Sequence, residues 1–169
     1  MTNKIDGPIA KAQLLIRKPV RQVFEALVDP AITSRFWFSK GSGRLETGKR
    51  IRWDWEMYGV HTDVEVKAIE TNKRILIEWN GPENPSLVEW TFEDKGDNRT
   101  FVVVKNWGFK EVAEAIDSTE GFTFLIAALK VFLEHDIEPN FVVDHAPDAL
   151  TEGWTSRRAA GMARGTQTT

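Results

Sequence analysis

Residues 121–138, GFTFLIAALKVFLEHDIE, read as one strongly amphipathic helix that follows a long run of consecutive strands. At about 100° per residue, Phe122, Leu125, Ile126, Leu129, Phe132 and Leu133 fall in a stripe roughly 120° wide. Such a stripe must be buried, and the apolar face of the strands is the surface large enough to take it. A long final helix across an antiparallel sheet can enclose an apolar pocket, and the functional expectation rests on that pocket.

Working upstream, the period of the apolar residues is two from Lys49 onward. Ile51, Trp53 and Trp55 alternate with Arg50, Arg52, Asp54 and Glu56, giving one dry face and one wet face. A tight turn near Tyr58-Gly59 would pair Trp55 with Thr62, Trp53 with Val64 and Ile51 with Val66. The wet face would then pair Glu56 with His61 and Arg52 with Glu65. Ile75, Ile77 and Trp79 mark a further strand, Val88, Trp90 and Phe92 another, and residues 100–107 the last, with turn signals between them. Residues 9–17 read as a first strand. Pro19 suits a helix N1 position, and Val20, Val23, Phe24, Leu27 and Val28 follow at helical spacing until Asp29-Pro30 stops them. A second short helix is expected over residues 31–36.

Between the last strand and the long helix, residues 110–116 suggest a short lid-like helix. Asp117 and Glu120 have capping-box spacing, and Glu138-Pro139 ends the long helix. Phe124 and Val131, with Ala127 and Ala128, lie off the main stripe. They call for cover by the tail (Phe141, Val142, Val143, Leu150, Trp154) or by a second copy of the chain. Residues 159–169 are expected to be disordered.

The chain of 169 residues suits one domain. Its net charge of −3 and pI near 5.7 give no electrostatic reason to expect nucleic acid. The absence of Cys excludes disulfides and thiolate metal sites. No apolar run is long enough for stable membrane insertion, and the polar start MTNKIDGP has no signal-peptide core, so a cytoplasmic location is expected. Six of the seven tryptophans fall between the first helices and the last one: Trp37, Trp53, Trp55, Trp79, Trp90 and Trp107. Each on its own is accounted for as core filling, whereas the set suggests the wall of a binding site.

VFEALVDPAITSRFWF (residues 23–38), VEVKAIETNKRILIEW (64–79), VEWTFEDKGDNRTFVVVKNWGF (88–109) and GFTFLIAALKVFLEH (121–135) occur in that order. Together they resemble the activator of heat-shock protein 90 ATPase homologue family, within the START-like (SRPBCC) superfamily. The resemblance covers roughly residues 9–139. It implies an α+β helix-grip fold: a curved antiparallel sheet wrapped around a long C-terminal helix, with two short helices after the first strand. Residues 1–140 would form that domain and residues 141–169 a C-terminal extension. Superfamily members bind lipids, sterols or polyketides, and some are cyclases or hydrolases. The family carries no shared catalytic motif to transfer, so the resemblance gives a ligand class and not a reaction.

The remaining chemistry is sparse. Asp54 and Asp63 would face each other on the wet side of the hairpin, which favours a solvated pair over a catalytic or cation site. His61, His135 and His145 have no metal-ligand spacing, and Ser39 and Ser42 sit in no nucleophile elbow. Lys105 and Asn106 interrupt an apolar strand, and one of them must point inward. Lys105 would either offer an ammonium to a ligand or reach the rim on its stem. The expected function is binding of a hydrophobic or amphipathic small molecule, without cofactor or metal. The walls would be Trp53, Trp55, Trp79, Trp90, Phe122, Ile126 and Leu129, with Trp37 and Phe38 at the mouth and Lys105 as a donor. A polyketide cyclase-like or hydrolase-like enzyme and a chaperone-ATPase partner are the alternatives.

Overall fold

A computed structural model of the chain describes residues 6–79, 81, 83–152 and 154. The expected disorder of residues 159–169 falls outside them. Seven strands form one open antiparallel sheet: β1 (Ile9–Ile16), β2 (Lys40–Gly41), β3 (Arg50–Trp55), β4 (Val60–Glu70), β5 (Arg74–Trp79), β6 (Ser86–Gly96) and β7 (Arg99–Trp107). Their spatial order is β1-β7-β6-β5-β4-β3-β2. The helices are α1 (Val20–Val28), α2 (Pro30–Thr33), α3 (Val112–His135) and α4 (Phe141–Asp144). This is the α+β architecture expected, with a curved sheet and a long C-terminal helix.

Alternation creates the buried face. Ile51 and Trp53 on β3, Val64 and Val66 on β4, Ile75 and Ile77 on β5, Val88 and Trp90 on β6, and Val102 and Val104 on β7 all point inward. The stripe of α3 (Phe122, Leu125, Ile126, Leu129 and Phe132) packs on that face and is buried with it. α3 runs in the direction of β1: Ser118 reaches Asn106, the partner of Ala10, while the Lys130 ammonium donates to the Leu15 carbonyl at 2.8 Å. That contact occupies a carbonyl on an edge strand, and the other edge is the two-residue β2. Both are ways of blunting an exposed sheet edge.

The β3–β4 pairing differs from the expected register by two residues. Trp55 pairs with Val60, Trp53 with Thr62 and Ile51 with Val64. A 3₁₀ turn over Glu56–Tyr58, closed by Gly59 at φ 63°, takes up four residues where a tighter turn was expected. A two-residue slip keeps every side chain on its own face, so the apolar pattern alone could not distinguish the two registers. Asp54 therefore faces His61, Arg52 faces Asp63, and the expected Asp54–Asp63 and Glu56–His61 pairs do not form. Asp54 binds Arg52 at 2.9 Å instead, and that hydrogen-bonded guanidinium holds its carboxyl below the usual range.

The long helix also starts earlier than expected. Residues 112–135 are one helix, with its capping box at Glu111 and Glu114 and not at Asp117 and Glu120. The separate lid-like helix over 110–116 is its first turn. Gly121 therefore lies inside the helix. At the other end Asp136 adopts a left-handed conformation and terminates it, two residues before Glu138.

On the outer face of α3 the chain's own tail covers Phe124, whereas Ala128, expected on that face, is buried in the core. Phe124 lies 6.5 Å from Phe141 and 5.2 Å from His145, and His145 Nδ1 meets Glu120 Oε1 at 2.9 Å. The Tyr58 hydroxyl donates to the Val142 carbonyl, and the Thr151 N–H donates to the Met57 carbonyl at 2.8 Å.

One ion pair near the last turn of α3 links stability to pH. The Glu134 side chain is 11% exposed and meets Lys130 at 2.5 Å. Burial pushes its carboxyl up. The Lys130 ammonium and the Arg17 backbone N–H more than offset that, and the group sits below the ordinary 4.5. A lowered folded pKa means the stabilisation is full above the unfolded value and is lost as pH falls through the folded one. Urea midpoints measured from about pH 5 to about pH 3 are expected to fall less steeply for Glu134→Gln than for the wild type, which is the more stable of the two at pH 7. Parallel acid limbs would remove Glu134 from the account.

Candidate functional site

The strands end together at one edge of the buried face, and a pocket of about 320 Å³ opens there. Trp55 is the last residue of β3 and Trp79 the last of β5, while Ser86 is the first of β6 and pairs with Trp79. Asn106 is the penultimate residue of β7. Trp37, just after α2, and Phe109, just before α3, close two sides. α3 supplies Ser118, Gly121 and Phe122, which share one helix face because they are three and four residues apart.

Aromatic faces make up most of the wall. Trp37 is their hub, with ring centroids at 5.0 Å from Trp53, 5.5 Å from Trp55, 5.9 Å from Trp79 and 6.4 Å from Phe122. Trp55 and Trp79 lie 5.9 Å apart at 31°, and Trp79 and Phe122 meet edge to face.

Three polar side chains line the pocket: Ser86, Asn106 and Ser118. Asn106 is buried; its amide nitrogen donates to the Leu87 carbonyl at 2.9 Å, which fixes the amide orientation. The Ser118 hydroxyl donates to Asn106 Oδ1 at 2.7 Å. Ser86 is buried as a residue, lines the pocket and makes no side-chain hydrogen bond among the described residues. None of the described lining residues is titratable.

The residues expected to line the site therefore divide. Trp37, Trp55, Trp79 and Phe122 reach the pocket. Trp53, Trp90, Ile126 and Leu129 belong to solid core, each no more than 2% exposed. The gap bounded by Leu27, Trp37, Leu45, Trp53, Ile75 and Trp90 has no room for a water molecule. Phe38 does not line this pocket; it is buried and stacked on Trp53 at 5.3 Å, and borders the neighbouring hollow beneath the tail. Lys105 is exposed and shares the outward face of Phe101 and Val103, because Val102, Val104 and Asn106 are the inward set. Asn106 is thus the inward member of the Lys105-Asn106 pair. Ser86, Phe109, Ser118 and Gly121 carry no periodic signal that marks them in the sequence.

Residues 17–134 match the sequence profile of a family described as Activator of Hsp90 ATPase homolog 1-like protein. The chain belongs to this family. Among solved structures, this Hsp90-activator-homologue chain is similar to protein SSP2350 from Staphylococcus saprophyticus, at 28% identity and a TM-score of 0.69, over 78% of this chain and 95% of that one. DynU16, a protein of the dynemicin biosynthetic locus, aligns at 24% identity and a TM-score of 0.71 over 78% of this chain, which spans 49% of DynU16. The Aha1 dimer from Colwellia psychrerythraea aligns at 19% identity and a TM-score of 0.69, over 76% of this chain and 98% of that one. No curated protein matches the sequence. Among the described residues no helix is long and apolar enough to cross a membrane.

Proposed function

We propose that this member of the family binds an amphipathic small molecule in the pocket at the strand ends. The apolar part of the guest lies against Trp37, Trp55, Trp79 and Phe122, and its polar end meets Ser86, Asn106 and Ser118. The observation that carries the reading is this combination of stacked aromatic walls with three polar side chains in one pocket. The volume of about 320 Å³ lies near the lower end for ligand pockets, so the guest is compact. Apolar burial at about 25 cal/mol per Å² supplies the affinity, and the polar corner supplies the orientation.

Binding is favoured over acid–base catalysis because no described lining residue can exchange a proton near neutral pH. The test is native mass spectrometry of protein taken directly from cells, followed by a thermal-shift screen of aromatic and aliphatic amphiphiles. A guest at one hundred times its dissociation constant adds about 2.7 kcal/mol of stability. A bare protein mass together with no shift across the screen rejects the reading, whereas release of an altered product moves it to an enzyme.

Residues 1–140 are the binding domain in this reading and residues 141–169 an extension, whose residues 141–151 join α3 to the turn after β3. Removing the extension is expected to lower the melting temperature, because Phe124 loses its cover, while the circular dichroism of the sheet is retained.

A further inference from the structure

We infer that the pocket selects an uncharged, planar guest bearing a hydroxyl or carbonyl group, and that the guest enters across Gly121. This rests on the ligand-binding reading and specifies both the chemistry and the route.

Gly121 lies in the interior of α3, where glycine weakens a helix relative to alanine. Neither usual reason for a helical glycine applies. Its φ is not in the left-handed region, and a Cβ built there would meet nothing within 4 Å. No neighbouring element needs the close approach. What the missing side chain does leave open is the pocket, since Gly121 is exposed and lines it between Ser118 and Phe122. Any larger apolar side chain at 121 starts from the rim and finds its best cover against the aromatic wall, inside the space the guest needs.

The polar corner determines the guest's charge. Asn106 uses one amide hydrogen on Leu87 and retains the other, and its Oδ1 accepts from Ser118. The Ser118 oxygen still has acceptor capacity. The Ser86 hydroxyl both donates and accepts with no partner among the described residues. Such a set matches a hydroxyl or carbonyl, which both gives and takes hydrogen bonds or takes them alone. A carboxylate or ammonium would enter without a counter-charge among the described lining residues, and that is strongly disfavoured. The aromatic faces favour a flat ring system against them.

The experiment is calorimetric titration of the full chain with 2-naphthol and with 2-naphthoate, paired with thermal melts, for wild type and for Gly121→Ala, Gly121→Leu and Gly121→Phe. Wild type is expected to bind 2-naphthol at least about tenfold more tightly than 2-naphthoate. Affinity for 2-naphthol is expected to fall with side-chain size, by at least about tenfold for Gly121→Phe. All three variants are expected to melt no lower than wild type, with Gly121→Ala about 2–4 °C higher. Unchanged 2-naphthol affinity in Gly121→Phe overturns the entrance. Affinity that is lost only as the melting temperature falls makes Gly121 structural and overturns it equally. Naphthoate binding as tightly as naphthol overturns the charge selection. If wild type binds neither compound the inference fails, while the wider reading is still judged by the mass spectrometry and screen above.

Discussion

Trp90→Ala is expected to lower the unfolding free energy by about 3–5 kcal/mol, out of the roughly 5–15 kcal/mol a domain of this kind possesses. Trp90 is 2% exposed at the centre of the sheet, edge-on to Phe122 at 5.8 Å and to Trp37 at 6.4 Å. No helix or loop is free to collapse into the space its indole fills. Trp90→Phe is expected to cost far less. The indole N–H is buried without a hydrogen-bond partner among the described residues, so deleting it removes a desolvation penalty while the six-membered ring remains. Urea denaturation with matched m-values measures both. A loss for Trp90→Phe as large as that for Trp90→Ala would overturn this account of the indole N–H. Because Trp90 lies behind the pocket and not in its wall, Trp90→Phe is also expected to leave 2-naphthol affinity within a few-fold of wild type.

For Trp37→Ala the larger effect falls on binding. This indole borders the pocket at the strand ends, the closed gap in the core, and a second hollow of about 180 Å³ beneath the tail. Truncation removes the side chain against which Phe38, Trp53, Trp55, Trp79, Trp90 and Phe122 are all arranged. It also joins the pocket to the hollow beneath the tail, so a compact guest loses a wall. An anchor of this kind is worth about 2 kcal/mol or more, a loss of affinity of about thirtyfold. Stability falls as well, by about 3 kcal/mol, and titration at a temperature well below the melting point separates the two effects. Retention of wild-type affinity by folded Trp37→Ala would place the guest elsewhere.

Much of the fold was legible in residues close together in the chain. Periods of two and of 3.6 assigned the inward face of each strand and the buried stripe of α3, because those patterns are local consequences of backbone geometry. Trp53 and Trp55, two residues apart, share one face, as a period of two requires. Nothing local separates them further: Trp53 is sealed by Phe38 and Trp37, whereas Trp55 ends its strand and reaches the pocket. Asn106 was visible as a polar interruption beside Lys105, yet its inward direction follows from the parity of β7 against β6 and β1. Ser86 and Ser118 are ordinary residues in the sequence and come to line one pocket only through the sheet edge and the helix lying across it.

Gly121 shows the same division. Read alone it opens the amphipathic stretch, just after the capping-box spacing of Asp117 and Glu120. The Glu111–Glu114 cap moves the helix start upstream and turns the glycine into an interior gap above a cavity. By itself the sequence determined which faces are dry, that a long helix must cover them, and that aromatic residues would dominate the interior, since burial follows from periodicity and hydrophobicity. Tertiary structure alone decided where that interior is full and where it is open. An opening depends on which strands end level with one another and which helix residue stands above them, and those distances are set between segments far apart in the chain.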